Sequence, residues 1–137
     1  IPSSGDLLIV WNQVTAQDLR SGYGRGRLST AISRDSGQSW AYFRTLELSP
    51  GMRDIRRVVD PEPAHFVRAG EATRPGQTPR NPVNGFVEST RPSIHFFDGD
   101  VYIDHQQWFR PNTWAGDGER RDVRQKLHIF PVEQLYV

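Results

Sequence analysis

The chain has no cysteine, and its 137 residues include only one lysine and one methionine. Without cysteine, a disulfide framework and a cysteine-ligated metal are both excluded, while the compartment stays open. No apolar run approaches the roughly 20 residues that a membrane-spanning helix needs. The first residues also lack the charged segment followed by an apolar segment that is typical of a signal peptide. The formal net charge of +1 is too small for a protein that neutralises phosphates. We therefore expect no membrane span and no nucleic-acid partner.

What the chain does have is arginine, which accounts for 16 of its 17 basic residues. The guanidinium group is a rigid fork that binds carboxylate, sulfate or phosphate through two hydrogen bonds. An acidic sugar is therefore one class of ligand that this composition suits. A codon bias from a GC-rich genome accounts for the same excess equally well, so both interpretations stay open.

Six segments have the alternating or β-branched pattern of strands, and no segment has a helical period of useful length. The turn Asp98-Gly99-Asp100 between two of them is a strong hairpin signal. The predicted strands are 6–12, 27–34, 40–48, 91–97, 101–106 and 126–130. The chain is therefore predicted to be all-β.

Residues 49–90 differ from the rest, because prolines, glycines and six arginines interrupt every strand pattern. Such a stretch leaves no room for regular pairing. We expect a long irregular insertion, either an ordered surface excursion or partly disordered. Loops of this length in small domains are usually functional or mobile.

Residues 33–40 read SRDSGQSW, and this octapeptide is the most informative segment of the chain. Asp35 and Ser36 can accept hydrogen bonds from backbone N–H groups two residues further on, and Gly37 can adopt a positive φ. Trp40 then opens a second strand. The pattern predicts a tight hairpin turn, and an ordinary D-S-G turn in any all-β protein is the alternative.

The octapeptide has the form S-x-D-x-G-x-[S/T]-W and resembles the Asp box of sialidase-like β-propellers, also called the BNR repeat. The turn residues that match are Ser33, Asp35, Gly37 and Trp40. Other parts of that family's sequence pattern resemble residues 5–12, 91–105 and 126–136. Together these segments cover about half of the chain.

The resemblance implies an all-β fold of about two blades from the C-terminal part of a six-bladed sialidase-type propeller. Blades of such repeats have four strands and roughly 40–50 residues, so 137 residues cannot close a ring alone. Residues 1–137 would be a partial propeller with the 49–90 insertion inside it. Either the chain is a fragment, or a homo-oligomer or another chain completes the ring.

The alternation of strand direction predicts where the connections lie. The Asp box and the Asp98-Gly99-Asp100 turn should share one end of the blades, and the long connections 13–26, 49–90 and 107–125 the opposite end. The resemblance puts the substrate pocket at that opposite end, where 12 of the 16 arginines also lie. Since polar loops contain arginine in any protein, the coincidence can also be trivial.

The resemblance implies a carbohydrate-active protein, a glycoside hydrolase acting on acidic or complex glycans, with most catalytic groups outside this chain. Arg27, Arg91 and Trp108 are the candidates for substrate binding, and no catalytic residue is assigned. The family's tyrosine nucleophile precedes a Pro-Ser pair, and Arg91 stands at that position. This departure favours the alternative of a non-catalytic glycan-binding or scaffolding propeller, with Arg91 paired to Glu88 or Glu133.

Three strand histidines, His95, His105 and His128, can converge as metal ligands, but lone strand histidines are more often hydrogen-bonded packing residues. No metal site and no cofactor are therefore assigned. Asp104 and His105 point to opposite faces of a strand, which argues against a catalytic pair. The resemblance favours an extracytoplasmic location without deciding it.

Overall fold

A computed structural model describes residues 1–15, 17–18, 21–57, 82–112 and 121–137. Within these ranges nearly all of the regular structure consists of six strands and a short 3-10 helix, Val132–Tyr136, which confirms that the chain is all-β. The strands are β1 Leu7–Asn12, β2 Arg27–Ser33, β3 Ala41–Leu48, β4 Phe86–Phe97, β5 Asp100–Arg110 and β6 Arg121–Pro131.

The strands form two separate antiparallel sheets in sequence order, β1-β2-β3 and β4-β5-β6. In the first sheet β2 is the central strand, and all seven of its residues are buried. In the second sheet β5 is central, and its residues alternate between buried and partly exposed. Each sheet is thus built from two successive hairpins.

The two sheets pack face to face. The buried centre of the apolar layer between them consists of Ile32 from β2, Val101 and Ile103 from β5, and Leu135 from the 3-10 helix. Partly buried side chains from both sheets surround it, including Leu8, Val10, Tyr42, Leu46, Ile94, Phe96 and Phe130. Because strand side chains alternate in direction, His105 faces the same layer as Val101 and Ile103.

The outer faces of this pair of sheets carry exposed apolar side chains. Leu7 and Ile9 of β1 alternate with the inward Leu8 and Val10. On β6 the exposed residues are Val123, Leu127 and Ile129. An apolar side chain on each outer face is unusual for a finished two-layer domain, whose outer faces are normally polar.

The short turns lie at one end of the sheets and the long connections at the other end, as the alternation of strand direction predicts. At one end, Arg34 of the 33–40 turn lies over the ring of Tyr136, 5.1 Å from its centroid, and Val132 N donates to Gly99 O. At the other end, Ser89 N donates to Arg25 O at 3.0 Å. The described ends of all three long connections meet at this second end, which we call the long-connection end.

The strands of the second sheet are longer than the sequence predicts. β4 begins at Phe86, so residues 86–90 are in a strand and not in the irregular stretch expected over 49–90. The pairing of β4 with β5 shifts register between Thr90 and Ser93. A bulge at this point accommodates Pro92, which cannot donate to a ladder. Residues 58–81 of the expected insertion lie outside the described residues.

Candidate functional site

The octapeptide turn is closed by side chains at both of its ends. Ser33 Oγ accepts from Gly37 N at 2.8 Å and donates to Asp35 Oδ1 at 2.8 Å. Asp35 also accepts from Ser39 N at 2.8 Å and from Ser39 Oγ at 2.5 Å. Hydrogen bonds from Ser39 and Ser33 lower the pKa of Asp35 to about 2. Gly37 has a φ of 90°.

Two details of the turn differ from the sequence prediction. The Gly37 N–H, which the sequence predicts to donate to Asp35, donates to Ser33 Oγ instead, and Asp35 accepts from Ser39 N, four residues further on. Ser36 itself has a φ of 59°. Trp40 is half-buried and, with Trp11 and Phe43, lines a depression outside the first sheet.

Arg27 lies at the long-connection end, and its side chain is 0% exposed. One terminal nitrogen donates to Asp18 Oδ2 and to Gln13 O, each at 2.9 Å, and the other donates to Arg53 O at 2.6 Å. Asp18 is positioned by a reciprocal pair of bonds with Thr15, the arrangement of a capping box. The guanidinium of Arg27 therefore joins two of the long connections, 13–26 and 49–90, to the start of β2.

Trp108 is also buried at this end, where Glu88 gathers three donors. The Trp108 indole N–H donates to Glu88 Oε2, and Arg110 Nε lies 3.4 Å from the same oxygen. Arg25 NH1 lies 3.2 Å from Glu88 Oε1, and its side chain is 56% exposed. Of these residues, Arg25 is the one that solvent and a ligand can reach.

An aromatic cavity of about 330 Å³ opens beside this group. Tyr23 and Phe86 pack edge to face, with ring centroids 5.9 Å apart, and Phe109 completes the aromatic part of its wall. Pro50, Pro82 and Asn84 are among the other residues that line it. Concave pockets with aromatic walls are typical of small-molecule sites, and Arg25, which is not among the lining residues, is two residues from Tyr23 in the chain.

Arg91 lies apart from these residues. Its side chain is exposed, its φ is 53°, and its hydrogen-bond partner is Gln106 Oε1 at 3.4 Å rather than Glu88 or Glu133. In the described part of the chain, no ion pair or hydrogen bond joins Arg91 to Arg27 or Trp108. The three sequence-predicted binding residues therefore do not form one cluster.

A second polar cluster lies between the sheets. Glu47 of β3 points at His105 of β5 and at Lys126 and His128 of β6. The ligand atoms of Glu47, His105 and His128 lie within 4.8 Å of one another. Two of the three histidines noted in the sequence thus converge, whereas His95 is exposed on β4. Sequence reasoning missed Glu47, since only the packing of the two sheets brings it here.

The charge of Glu47 is stabilised by its neighbours. Burial alone would raise the pKa of this carboxyl, but contacts with His105, His128 and Lys126 outweigh it and hold the pKa well below its ordinary range. Gln107 Nε2 donates to the other carboxylate oxygen at 3.3 Å. The carboxylate is therefore ionised, with both oxygens in use.

Comparison with protein-family models, with curated proteins and with solved structures finds no match to this chain. Among the described residues, no helix is long and apolar enough to cross a membrane.

Proposed function

We propose that this chain forms about two blades of a sialidase-like β-propeller that acts on acidic or complex glycans. The observation on which the proposal rests is the 33–40 turn, in which Ser33, Asp35, Gly37 and Ser39 all have roles. An ordinary D-S-G turn does not need serine at both ends and a tryptophan after it. The hydrogen bonds of the turn, as well as its amino-acid sequence, therefore support the resemblance of this octapeptide to the Asp box.

The packing of the sheets is compatible with neighbouring blades. Two antiparallel sheets built from successive hairpins stack face to face, and each outer face exposes apolar residues, Leu7 and Ile9 on one and Leu127 and Ile129 on the other. In a closed propeller each blade packs against a neighbouring blade on both of its faces. Burial of these residues against further blades would remove apolar surface from water.

The glycan would bind at the long-connection end. There, the exposed Arg25 supplies a fork for a carboxylate or sulfate, and the cavity beside Tyr23 and Phe86 supplies flat apolar walls. Arg27 and Trp108 support this surface from beneath, since both are buried and bonded within the protein. Their role in binding would be to hold the connections in place.

The leading form of the proposal is a glycoside hydrolase whose catalytic groups lie mostly outside this chain. The second form is a non-catalytic glycan-binding or scaffolding propeller. Arg91 favours the second form, because it stands where the family has its tyrosine nucleophile and a guanidinium cannot attack an anomeric carbon. Its exposed side chain bonds to Gln106 and does not adjoin a candidate acid.

Binding and turnover should be measured separately on the 137-residue chain. Saturation-transfer NMR with 3′-sialyllactose and with lactose should show contact with the sialylated sugar and weaker contact with lactose. Arg25→Ala should remove this preference. Arg34→Ala is the matched control, because its side chain is 60% exposed and lies at the opposite end.

A panel of fluorogenic glycosides, including a sialoside, tests the two forms. Turnover above the background of heat-denatured protein supports the hydrolase. Because most catalytic groups of that form lie outside this chain, binding without turnover is expected of both forms. If the wild type and Arg25→Ala each contact 3′-sialyllactose and lactose equally strongly, the proposed site is overturned. No contact with any glycan would overturn the proposed function.

A further inference from the structure

The cluster between the sheets has the donor set of a transition-metal site. Its three side chains come from three strands, Glu47 from β3, His105 from β5 and His128 from β6. The pairing of β5 with β6 sets Ile103 opposite His128 and His105 opposite Lys126, so both histidines face the first sheet. Two imidazoles and one carboxylate are a known ligand set for zinc.

The distances from Glu47 to the two histidines are close to those that a single ion requires. Glu47 Oε1 lies 3.0 Å from His128 Nε2 and 3.6 Å from His105 Nε2. Ligands bound tetrahedrally at 2.0–2.1 Å are separated from each other by about 3.3 Å, between these two values. The imidazole rings are stacked, with an interplanar angle of 12° and centroids 5.5 Å apart. The three ligand atoms lie within 4.8 Å of one another, and rotations of the side chains would have to bring all three to the separation that one ion requires.

The orientation of His105 is that of a metal ligand. Its side chain is 0% exposed, and its Nδ1 lies 3.3 Å from the carbonyl oxygen of Gln106. A proton on Nδ1 that is donated to this carbonyl leaves a lone pair on Nε2, the usual arrangement of a metal-bound histidine. Nε2 of His128 and Nε2 of His105 are buried 3.0 and 3.6 Å from Glu47 Oε1, and neither contact has the geometry of a hydrogen bond.

The carboxylate is oriented in the same way. Gln107 Nε2 holds Glu47 Oε2 at 3.3 Å and leaves Oε1 directed at the histidines. Such outer partners fix a ligand in place, and their loss typically lowers metal affinity by 10–100-fold. Gln107 is next but one to His105 on the same strand, so one segment of β5 supplies both a ligand and an outer partner.

Lys126 would compete with a metal ion for the carboxylate of Glu47. Its Nζ lies 2.5 Å from Glu47 Oε1, and it supplies the positive charge that a cation would bring. The side chain is 39% exposed and belongs to the edge strand β6, so it can move into solvent without breaking the sheet. Metal binding would exchange one cation for another at the same oxygen.

From this geometry we infer that Glu47, His105 and His128 bind one zinc-class divalent transition-metal ion that clamps the two sheets together. The ion joins β3 to β5 and β6 across the apolar layer, where the sheets are otherwise connected mainly by side-chain packing. Binding would stabilise the packed sheets, because a metal that binds only the folded chain shifts the folding equilibrium towards it. This inference is independent of the proposed function.

Titration of the chain, freed of metal with a chelator, with Co²⁺ tests the inference. One equivalent should produce the intense visible bands of four-coordinate cobalt, and Zn²⁺ should displace it. His128→Gln should weaken binding by more than 100-fold, and Gln107→Ala by about 10–100-fold. Lys126→Met should strengthen binding, because it removes the competitor. His95→Gln, which changes an exposed histidine outside the cluster, should bind as wild type.

The inference is overturned if Co²⁺ gives no four-coordinate bands, or if His128→Gln binds as wild type does. Circular dichroism must first show that each variant is folded. If His128→Gln does not fold, imidazole ¹⁵N NMR of the wild type gives the answer. Zn²⁺ should shift the Nε2 resonances of two histidines, and assignment to His105 and His128 but not His95 is required. Unchanged Nε2 resonances would overturn the inference.

Discussion

Arg27 and Asp18 form an ion pair with an N–O distance of 2.9 Å, and the guanidinium is entirely buried. We expect Asp18→Asn to lower the free energy of unfolding by about 3–5 kcal/mol, because it leaves a buried charge without its counter-ion. Urea denaturation followed by tryptophan fluorescence measures this. Asp54→Asn is the control, since Asp54 is exposed, and it should stay within about 0.5 kcal/mol of wild type.

If Asp18→Asn were as mild as Asp54→Asn, solvent or an anion would have to reach the guanidinium. Arg27 would then return to the set of substrate-binding candidates. A large loss of stability would instead support the interpretation that Arg27 organises the long-connection end from within.

Gly37 provides a second test, because its φ of 90° is one that residues with a side chain rarely adopt. Gly37→Ala should lower the free energy of unfolding by about 1–2 kcal/mol through backbone strain. The neighbourhood is open, with the closest atom to an added Cβ 3.8 Å away on Leu7. Gly24→Ala is the control, since Gly24 has no positive φ and no atom within 4 Å of an added Cβ. Equal stability of the two variants, compared by thermal melting, would contradict this account.

Features set by a few neighbouring residues could be predicted from the sequence. The turn at 33–40 forms because Ser33, Asp35 and Gly37 lie within hydrogen-bonding reach of one another along the chain. The alternation of strands and the separation of short turns from long connections also follow from local patterns. The propeller itself depends on neighbours that these patterns do not contain, so it stays a proposal.

Features set by distant packing could not be predicted. The start of β4 reads as polar and precedes a proline, yet Glu88, Ser89 and Thr90 are buried. Their polar groups find partners in other elements: Glu88 bonds Trp108, and Ser89 bonds Arg25 and Asn12. Glu47 likewise gains its significance from strands about 60 and 80 residues away in sequence.

The pH dependence of stability should report on Asp35. Its pKa is lowered from the ordinary 3.8 to about 2 by Ser39 and Ser33. Because the unfolded chain takes up the proton first as the pH falls, the stabilisation is complete above about pH 4 and is lost progressively towards pH 2. The melting temperatures of wild type and Asp35→Asn should therefore differ at pH 6 and converge near pH 2.

Ser36→Ala is the matched control for this prediction, since Ser36 makes none of the bonds to Asp35. It should keep the wild-type dependence on pH. A constant difference between wild type and Asp35→Asn from pH 6 to pH 2 would mean that the charge of Asp35 does not stabilise the turn.

The exposed apolar residues on the two outer faces predict self-association of this chain. If the β1 face of one copy packs on the β6 face of the next, the contact is head-to-tail, and such contacts form a ring where the rotation between copies closes and an open filament where it does not. Three copies of two blades would supply six. Light scattering should therefore give a mass of about three times 15.7 kDa, and Leu127→Lys with Ile129→Lys should reduce it to that of one chain without loss of folding.

Val83→Lys is the control, because Val83 is an exposed apolar residue away from both faces, and its variant should assemble as wild type does. A monomer at every concentration would exclude a ring made of copies. The outer faces would then need different blades to cover them, and a chain that completes the propeller would have to be a different sequence. If the chain forms a dimer and the Leu127→Lys, Ile129→Lys variant forms the same dimer, the contact lies elsewhere on the surface. The exposed apolar residues would then no longer argue that these faces pack between blades.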